Sequence, residues 1–344
     1  MKTGPGVSIV ICCHNSATRL PQTLQYAAAQ QVPAGVSWEV ILVDNASTDG
    51  TADAALRCWP ATCPVPLRVV HESRPGLSFA REAALQTAKY EIISFVDDDN
   101  WICEDWVSLV SEIMGTYPRV GACGGRNDFH VAGEPPPWFH EFKRWYAVGE
   151  QAPKAGDITW SKGFLWGAGL SVRKAAWLGL IEKGFQSLLT GRKGAALSSG
   201  EDTELCYALR LCGWTLWYDP RLQLIHDLPP QRLTWDYVRR LRRSLGEASV
   251  GLDAYNQGAQ IPTGVLKKLS RLNWQFRAAA AFGEVLRAMR GWRALFGRVA
   301  EGDAAAITLD YRLGQLQAVL RMRGLYTQSM RELRHAQWRT TSRA

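Results

Sequence analysis

An α/β fold built on a mostly parallel sheet is predicted for this 344-residue chain by three observations. Short apolar runs recur through the first hundred residues. Stretches of helical character separate them, and polar residues gather where the runs end. Val7 to Cys13 (VSIVICC) is continuously apolar, as suits a strand buried on both faces of a parallel sheet. Strands are likewise predicted over Trp38 to Val43, Leu67 to Glu72 and Glu91 to Val96. Helices are predicted over Pro21 to Gln30, where proline suits the first turn, and over Leu77 to Lys89.

After Gly115 the alternation weakens. Val120 to Gly125 reads as a strand, and Arg126 to Gly163 as a long loop rich in proline, tryptophan and charge. Small residues mark Phe164 to Val172. A helix is expected over Ser198 to Cys212 with Gly213 as its stop. Two short strands follow, Trp214 to Tyr218 and Gln223 to His226, and helical periodicity dominates from Trp235.

Composition narrows the class. Apolar residues at 47% and charged residues at 21% allow a large core and argue against disorder. The eight cysteines form neither a CxxC pair nor a zinc pattern. Cys58 and Cys63 are close enough in sequence to bridge, but a reduced, cytoplasmic state is expected. No secretory leader is read at Met1 to Gly6, and no apolar stretch reaches the roughly 20 residues of a membrane span. A soluble or peripheral protein is therefore expected. Pro230 to Ala344 carries 20 Lys/Arg against 8 Asp/Glu, a net +12, which leaves −4 for the rest of a chain whose total is +8.

In sheets of this kind ligands sit at the carboxyl ends of the strands. His14, Asn15, Asp44, Asn45 and Asp97-Asp98-Asp99 occupy those ends. Three adjacent carboxylates repel one another, and a hard divalent cation, Mn2+ or Mg2+, relieves the conflict while bridging to substrate phosphates. In an extended segment Asp97 and Asp99 share a side and Asp98 faces away. A solvated acidic turn is the alternative. No GxxxxGK[ST] loop supports a kinase-type phosphate site.

Four ordered segments resemble the family 2 glycosyltransferases of GT-A fold: Val7 to Ile11, Val43 to Thr51 (VDNASTDGT), Arg74 to Arg81 (RPGLSFAR) and Phe95 to Asn100 (FVDDDN). The resemblance implies an inverting enzyme that uses a nucleotide-diphosphate sugar. It implies Asp44 on the base or ribose, His14 and Asn15 lining the nucleotide pocket, and Arg81 near the base or diphosphate. It also implies Asp97 and Asp98 on the donor side, and Asp99 with Asp97 at the metal. Gly200-Glu201-Asp202 opens a periodic helical stretch, where carboxylates commonly serve as caps. It also resembles the family's ED motif, which implies Asp202 as catalytic base and Glu201 against the acceptor. Trp166-Gly167-Ala168-Gly169 looks like the family segment beneath the donor sugar. His226 is a candidate further metal ligand or a structural histidine. Gln231 to Trp235 resembles the QxxRW motif of processive members but has Thr234 where arginine is expected, so a non-processive enzyme is implied.

On this reading residues 1–235 form the catalytic domain, with a nucleotide-binding half 1–115 and an acceptor-binding half 116–235. Residues 236–344 form a helical extension. Trp138, in a stiff aromatic stretch, is expected in an acceptor or lid role, with packing as the alternative. Arginines interleave with Trp274, Phe276, Phe282, Leu286, Trp292, Leu295 and Phe296 in one or two amphipathic helices, with Gly283, Gly291 and Gly297 as weak points. This pattern suits an anionic membrane surface on the cytoplasmic face, or packing with a solvated arginine face. A saccharide or lipid-linked acceptor is expected, and nucleic acid is not, since no binding module accompanies the charge. The rival functions are a nucleotidyltransferase and a non-catalytic sugar-binding or membrane-associated scaffold.

Overall fold

The computed structural model describes residues 5–189, 200–256, 273–290 and 300–339. The expected positions Ser198, Ser199, Gly291, Trp292, Leu295, Phe296 and Gly297 lie outside the described residues. The chain divides into two compact units. The first comprises Met1–His130, Ala147–Gly184 and Leu209–Leu228; the second comprises Val131–Tyr146, Phe185–Ala208 and Pro229–Ala344.

The first unit holds the sheet. β1 (Val7–Cys13), β2 (Trp38–Asn45), β3 (Leu67–Glu72) and β4 (Ile92–Asp97) run parallel in the order β3-β2-β1-β4. Every residue of β2 is buried, which is why its centre, Val40 to Val43, is continuously apolar rather than alternating. The helices α1 (Leu20–Ala28), α2 (Thr51–Cys58) and α3 (Leu77–Thr87) make the crossovers between them. Because β2 and β4 flank β1 on opposite sides, the chain order reverses there, and the crevice beside the end of β1 is where such sheets take ligands.

Beyond β4 the sheet turns mixed. β8 (Ser171–Arg173) lies antiparallel between β4 and β6 (Val120–His130), and β9 (Thr215–Asp227) runs parallel to β6. The short β5 (Asn100–Ile102) and β7 (Gly156–Asp157) pair with β9. Two expectations are corrected here. The strand predicted to stop at Gly125 continues to His130, and the two strands predicted after Gly213 are one, β9. Pairing with long neighbours carries both through residues that look like breakers, including Pro220. α4 (Trp106–Thr116), whose apolar residues Trp106, Leu109, Val110, Ile113 and Met114 recur at helical spacing although no helix is predicted there, inserts Trp106 fully buried, its indole N–H donating to Ser94 Oγ at 2.8 Å.

The second unit is helical. It contains α5 (Phe139–Phe142), the start of α7 (Glu201–Leu211), α8 (Trp235–Leu252), α9 (Trp274–Arg290), α10 (Ala304–Met322) and α11 (Gly324–Arg334); α6 (Lys174–Glu182) belongs to the first. α8 and α10 approach to backbone contact. A Cβ at Gly246 would stand 2.1 Å from Tyr311 O, and one at Gly314 would stand 2.0 Å from Arg243 O. Beside this crossing Arg239 and Arg243 each donate at 2.6 Å to the buried Asp310. Gly283 does not interrupt its helix, since α9 runs through it. Among the described residues no helix is long and apolar enough to cross a membrane.

Candidate active site

The strand ends of the first unit are knotted together by side chains. Asn15 takes a left-handed backbone (φ 52°), and its Oδ1 accepts from Thr48 N at 2.8 Å. Its own N–H donates to Ser47 Oγ at 3.0 Å. His14 Nδ1 lies 2.7 Å from Asn45 O, which ties the loop after β1 to that after β2. Asn45 in turn donates to Arg74 O at 2.7 Å and accepts from Gly76 N at 2.8 Å, clasping the loop that begins α3. Gly76 has φ 134°, a conformation that a side chain resists. Glu72 braces the same loop through Arg74, whose hydrogen bonds hold its carboxyl down at about 2.

Within this frame the expected donor residues converge. Asp44 is buried; its Oδ1 accepts from Ser47 N and its Oδ2 lies 3.3 Å from His71 Nδ1. Cys12 pairs in register with Asp97 on one side and Val43 on the other. Burial pushes its thiol up to about 12, with Arg81 lowering it and Asp97 raising it by less. Cys13 is raised chiefly by burial and then by Asp98, Asp44 and Asp49. Arg81 is itself buried, its guanidinium 5.3 Å from the centre of the Phe95 ring.

The acidic triplet divides. β4 ends at Asp97, and Asp98-Asp99 form a turn rather than continued strand, so the turn and not the pleat sets their directions. Asp98 takes a hydrogen bond from Ser16 Oγ and an ion pair at 2.8 Å from Arg19, while Thr23 caps its carbonyl at 2.9 Å. It thus secures the turn to α1. Asp99 is held the other way. Its backbone carbonyl accepts from Asp227 N at 2.8 Å, and Asn100 Nδ2 donates to its Oδ1 at 3.1 Å. Register pairs Asn100 with His226, so His226 Nε2 reaches 3.6 Å from Asp99 Oδ1. Both groups are mostly buried. That spacing is long for a hydrogen bond and suits two ligands sharing one cation. Among the described residues no group of three or more His, Cys, Asp or Glu is placed to hold an ion alone. A site of two or so protein ligands completed by substrate phosphates is what Mg2+-type chemistry ordinarily uses, and these residues fit it.

Trp166 and Gly167 enter at the end of β4, where Phe95 N donates to Leu170 O at 2.9 Å. Gln151 Oε1 accepts both Trp166 N at 2.9 Å and Lys162 Nζ at 2.6 Å, and Lys162 stands 4.2 Å over the Trp166 ring. Gly169 has no room for a side chain, since a Cβ would meet Trp106 at 2.7 Å. Arg19, Ser16, Glu72 and Gln151 were not anticipated. Their partners lie up to 82 residues away, and no local pattern signals them.

In the second unit Glu201 and Asp202 begin α7 behind Gly200 (φ 107°), both half-buried. Glu204, one turn along, is 1% exposed and accepts from Leu188 N at 2.7 Å, Leu189 N at 3.1 Å, Ser187 Oγ, and Tyr255 Oη at 2.5 Å. This cluster anchors the first turn of the helix. Trp138 is buried, not displayed. Its ring packs on Trp235 and Phe142, and its N–H donates to Glu301 Oε2 at 3.3 Å, so packing is the role seen for it. The stretch expected as loop here includes helical turns over residues 139–146, because Phe139, Phe142 and Tyr146 all find buried places.

Residues 8–177, which carry this crevice, match the model of glycosyl transferase family 2. The chain belongs to that family. It is 25% identical over 261 residues to the succinoglycan biosynthesis protein ExoM of Rhizobium meliloti, covering 72% of this chain and 77% of that one. It is 30% identical over 128 residues to the glycosyltransferase AglE of Haloferax volcanii, covering 37% of this chain and 41% of that one. Its fold is that of the mannosyltransferase PcManGT from Pyrobaculum calidifontis, solved in complex with GDP-Man and Mn2+: TM-score 0.54, 17% identity, 92% of this chain and 88% of that one. The GT-A fold is therefore present, and the enzyme is a glycosyltransferase rather than a nucleotidyltransferase or a non-catalytic scaffold.

Proposed function

We infer that this glycosyltransferase moves a sugar from a nucleoside-diphosphate sugar to a saccharide or lipid-linked hydroxyl, with inversion, in the assembly of a polysaccharide or glycoconjugate. The observation that carries the reading is the gathering of Asp44, Asp97, Asp99 and His226 at the carboxyl ends of β2, β4 and β9, with Asp98 diverted to α1. The name of ExoM, with succinoglycan biosynthesis in it, supports the polymer-building context.

Asp44 accepts from the ribose or base, while Asn15 and His14 shape the nucleotide pocket. Arg81 balances donor phosphate charge. The small residue Gly167 lets the sugar approach the backbone closely. Asp99, His226 and Asp97 would hold Mn2+ or Mg2+, which when bound offsets the charge that develops on the diphosphate leaving group. Asp202 takes the proton of the acceptor hydroxyl as that oxygen bonds to the anomeric carbon and the bond to the diphosphate oxygen breaks, and Glu201 holds the acceptor.

Calorimetric donor titration with and without Mn2+ tests the metal side. Asp99→Asn and His226→Ala are expected to abolish the gain in donor affinity that Mn2+ confers, and a gain equal to the wild type's would refute the assignment. Asp202→Asn is expected to keep donor binding while kcat falls about 10²–10⁴-fold, the usual worth of a positioned base. Retained turnover would exclude it.

A further inference from the structure

We propose that the outward face of α9 docks the enzyme on an anionic lipid bilayer. The inner side of this helix is defined by contacts. Ala281 and Val285 are buried, Arg277 donates at 2.7 Å to Asp253, and Glu284 pairs with Arg312. The opposite side is apolar yet exposed: Phe276 is 48%, Phe282 53% and Leu286 41% accessible, with Ala279 and Ala280 between them. Single exposed apolar residues need no explanation, but three large ones within eleven residues on one helix mark a contact surface.

The charge around that face identifies the partner. The region from Pro230 onward carries +12, and its acids are largely engaged inside the unit. Asp310 takes Arg239 and Arg243, Asp253 takes Arg277, Glu284 takes Arg312 and Glu247 takes Arg321. Arg287 is exposed on α9, and Arg323, Arg331 and Arg334 are exposed on and beside α11. Arg331 and Glu332 share with Trp274, Gln275 and Thr327 an open hollow of about 630 Å³ at the start of α9. A second copy of this chain would bring like charge against like. An anionic bilayer instead offers phosphate to the arginines and acyl carbon to Phe276, Phe282 and Leu286, as for helices that lie in the interfacial plane. Since no described helix spans a membrane, the contact is peripheral. The docking narrows the sequence expectation of a membrane-facing tail to one helix face, and it stands independently of the donor chemistry.

The test is co-sedimentation of the full chain with vesicles of phosphatidylcholine, alone or mixed with phosphatidylglycerol. The wild type is expected to partition about tenfold or more in favour of the anionic vesicles, a preference that shrinks with added salt. The variant Phe276→Ser/Phe282→Ser/Leu286→Ser is expected to lose about tenfold or more in partitioning. Arg287→Glu/Arg331→Glu is expected to erase the anionic preference. Thermal melts and donor hydrolysis on the same preparations show that the variants are folded and separate this question from the chemistry. Equal partitioning of wild type and triple variant, or no preference for phosphatidylglycerol, overturns the proposal. So does a wild-type dimer that the triple variant dissociates without any vesicle binding, which would give the face to a second copy.

Discussion

Adding a single methyl group to Gly314 tests whether the α8–α10 crossing is as close as the structure shows. A Cβ there would stand 2.0 Å from Arg243 O, 2.9 Å from its carbonyl carbon and 3.1 Å from Glu247 N. Comfortable carbon contacts begin at about 3.5 Å. The obstacles are backbone atoms of a packed helix, so no side chain can swing aside. The helices must part by more than about 1 Å, which disturbs the Arg239–Asp310–Arg243 cluster beside them. Overpacking of this kind costs about 1–3 kcal/mol. Alanine returns about 1 kcal/mol of helix propensity. The steric cost is expected to win, leaving Gly314→Ala destabilised by up to about 2 kcal/mol. Gly283→Ala is the control. It is also mid-helix, but nothing lies within 4 Å of its Cβ position, so only the propensity gain of up to about 1 kcal/mol applies. The two substitutions should therefore move the urea midpoint, followed by tryptophan fluorescence, in opposite directions. A Gly314→Ala midpoint at or above the wild-type value refutes the close approach.

Arg19→Ala removes one partner of Asp98 but leaves Ser16, and the pair is partly exposed, so stability should fall by only about 0.2–1 kcal/mol. The turn carrying Asp99 loosens, and donor KM should rise more than kcat falls; unchanged steady-state kinetics would count against Asp98 as the tether. Burial raises the Glu204 carboxyl above its ordinary value of 4.5. The folded state therefore binds the proton more tightly than the unfolded state. Its contribution is fully present below about 4.5 and is lost as pH rises through the elevated value. The stability advantage of wild type over Glu204→Gln should accordingly narrow with rising pH across denaturation curves, and a widening gap would reverse the sign. Under brief iodoacetamide treatment the exposed Cys58 should be labelled first. Cys12, with its thiol at about 12, and Cys123, likewise raised to about 12 by burial, should stay unmodified until the protein unfolds, as peptide mass mapping can show.

β1, β2 and β4 were legible because both faces of each are covered, and burial on both faces demands mostly apolar runs such as VSIVICC, while β3 lies at the sheet edge and is only partly buried. The acidic triplet and the Gly-Glu-Asp step were legible because charge of that density at an element boundary is rare in a chain of this composition. What the sequence could not reveal depends on pairs far apart along it. Alternation along an extended chain sets Asp98 apart from Asp97 and Asp99, but does not show that Ser16 and Arg19, 82 and 79 residues upstream, draw it to α1. His226 read as either a further metal ligand or a structural histidine, and the β5–β9 register set it beside Asp99. Trp138 was expected in an acceptor or lid role with packing as the alternative, and Trp235 and Phe142 cover it. Local sequence determines which segments can be strands or helices and which end carries polar groups, since those are matters of periodicity and propensity. Which carboxylate meets an arginine and which meets an imidazole is decided by strand register and helix docking, which exist only once the chain has closed on itself.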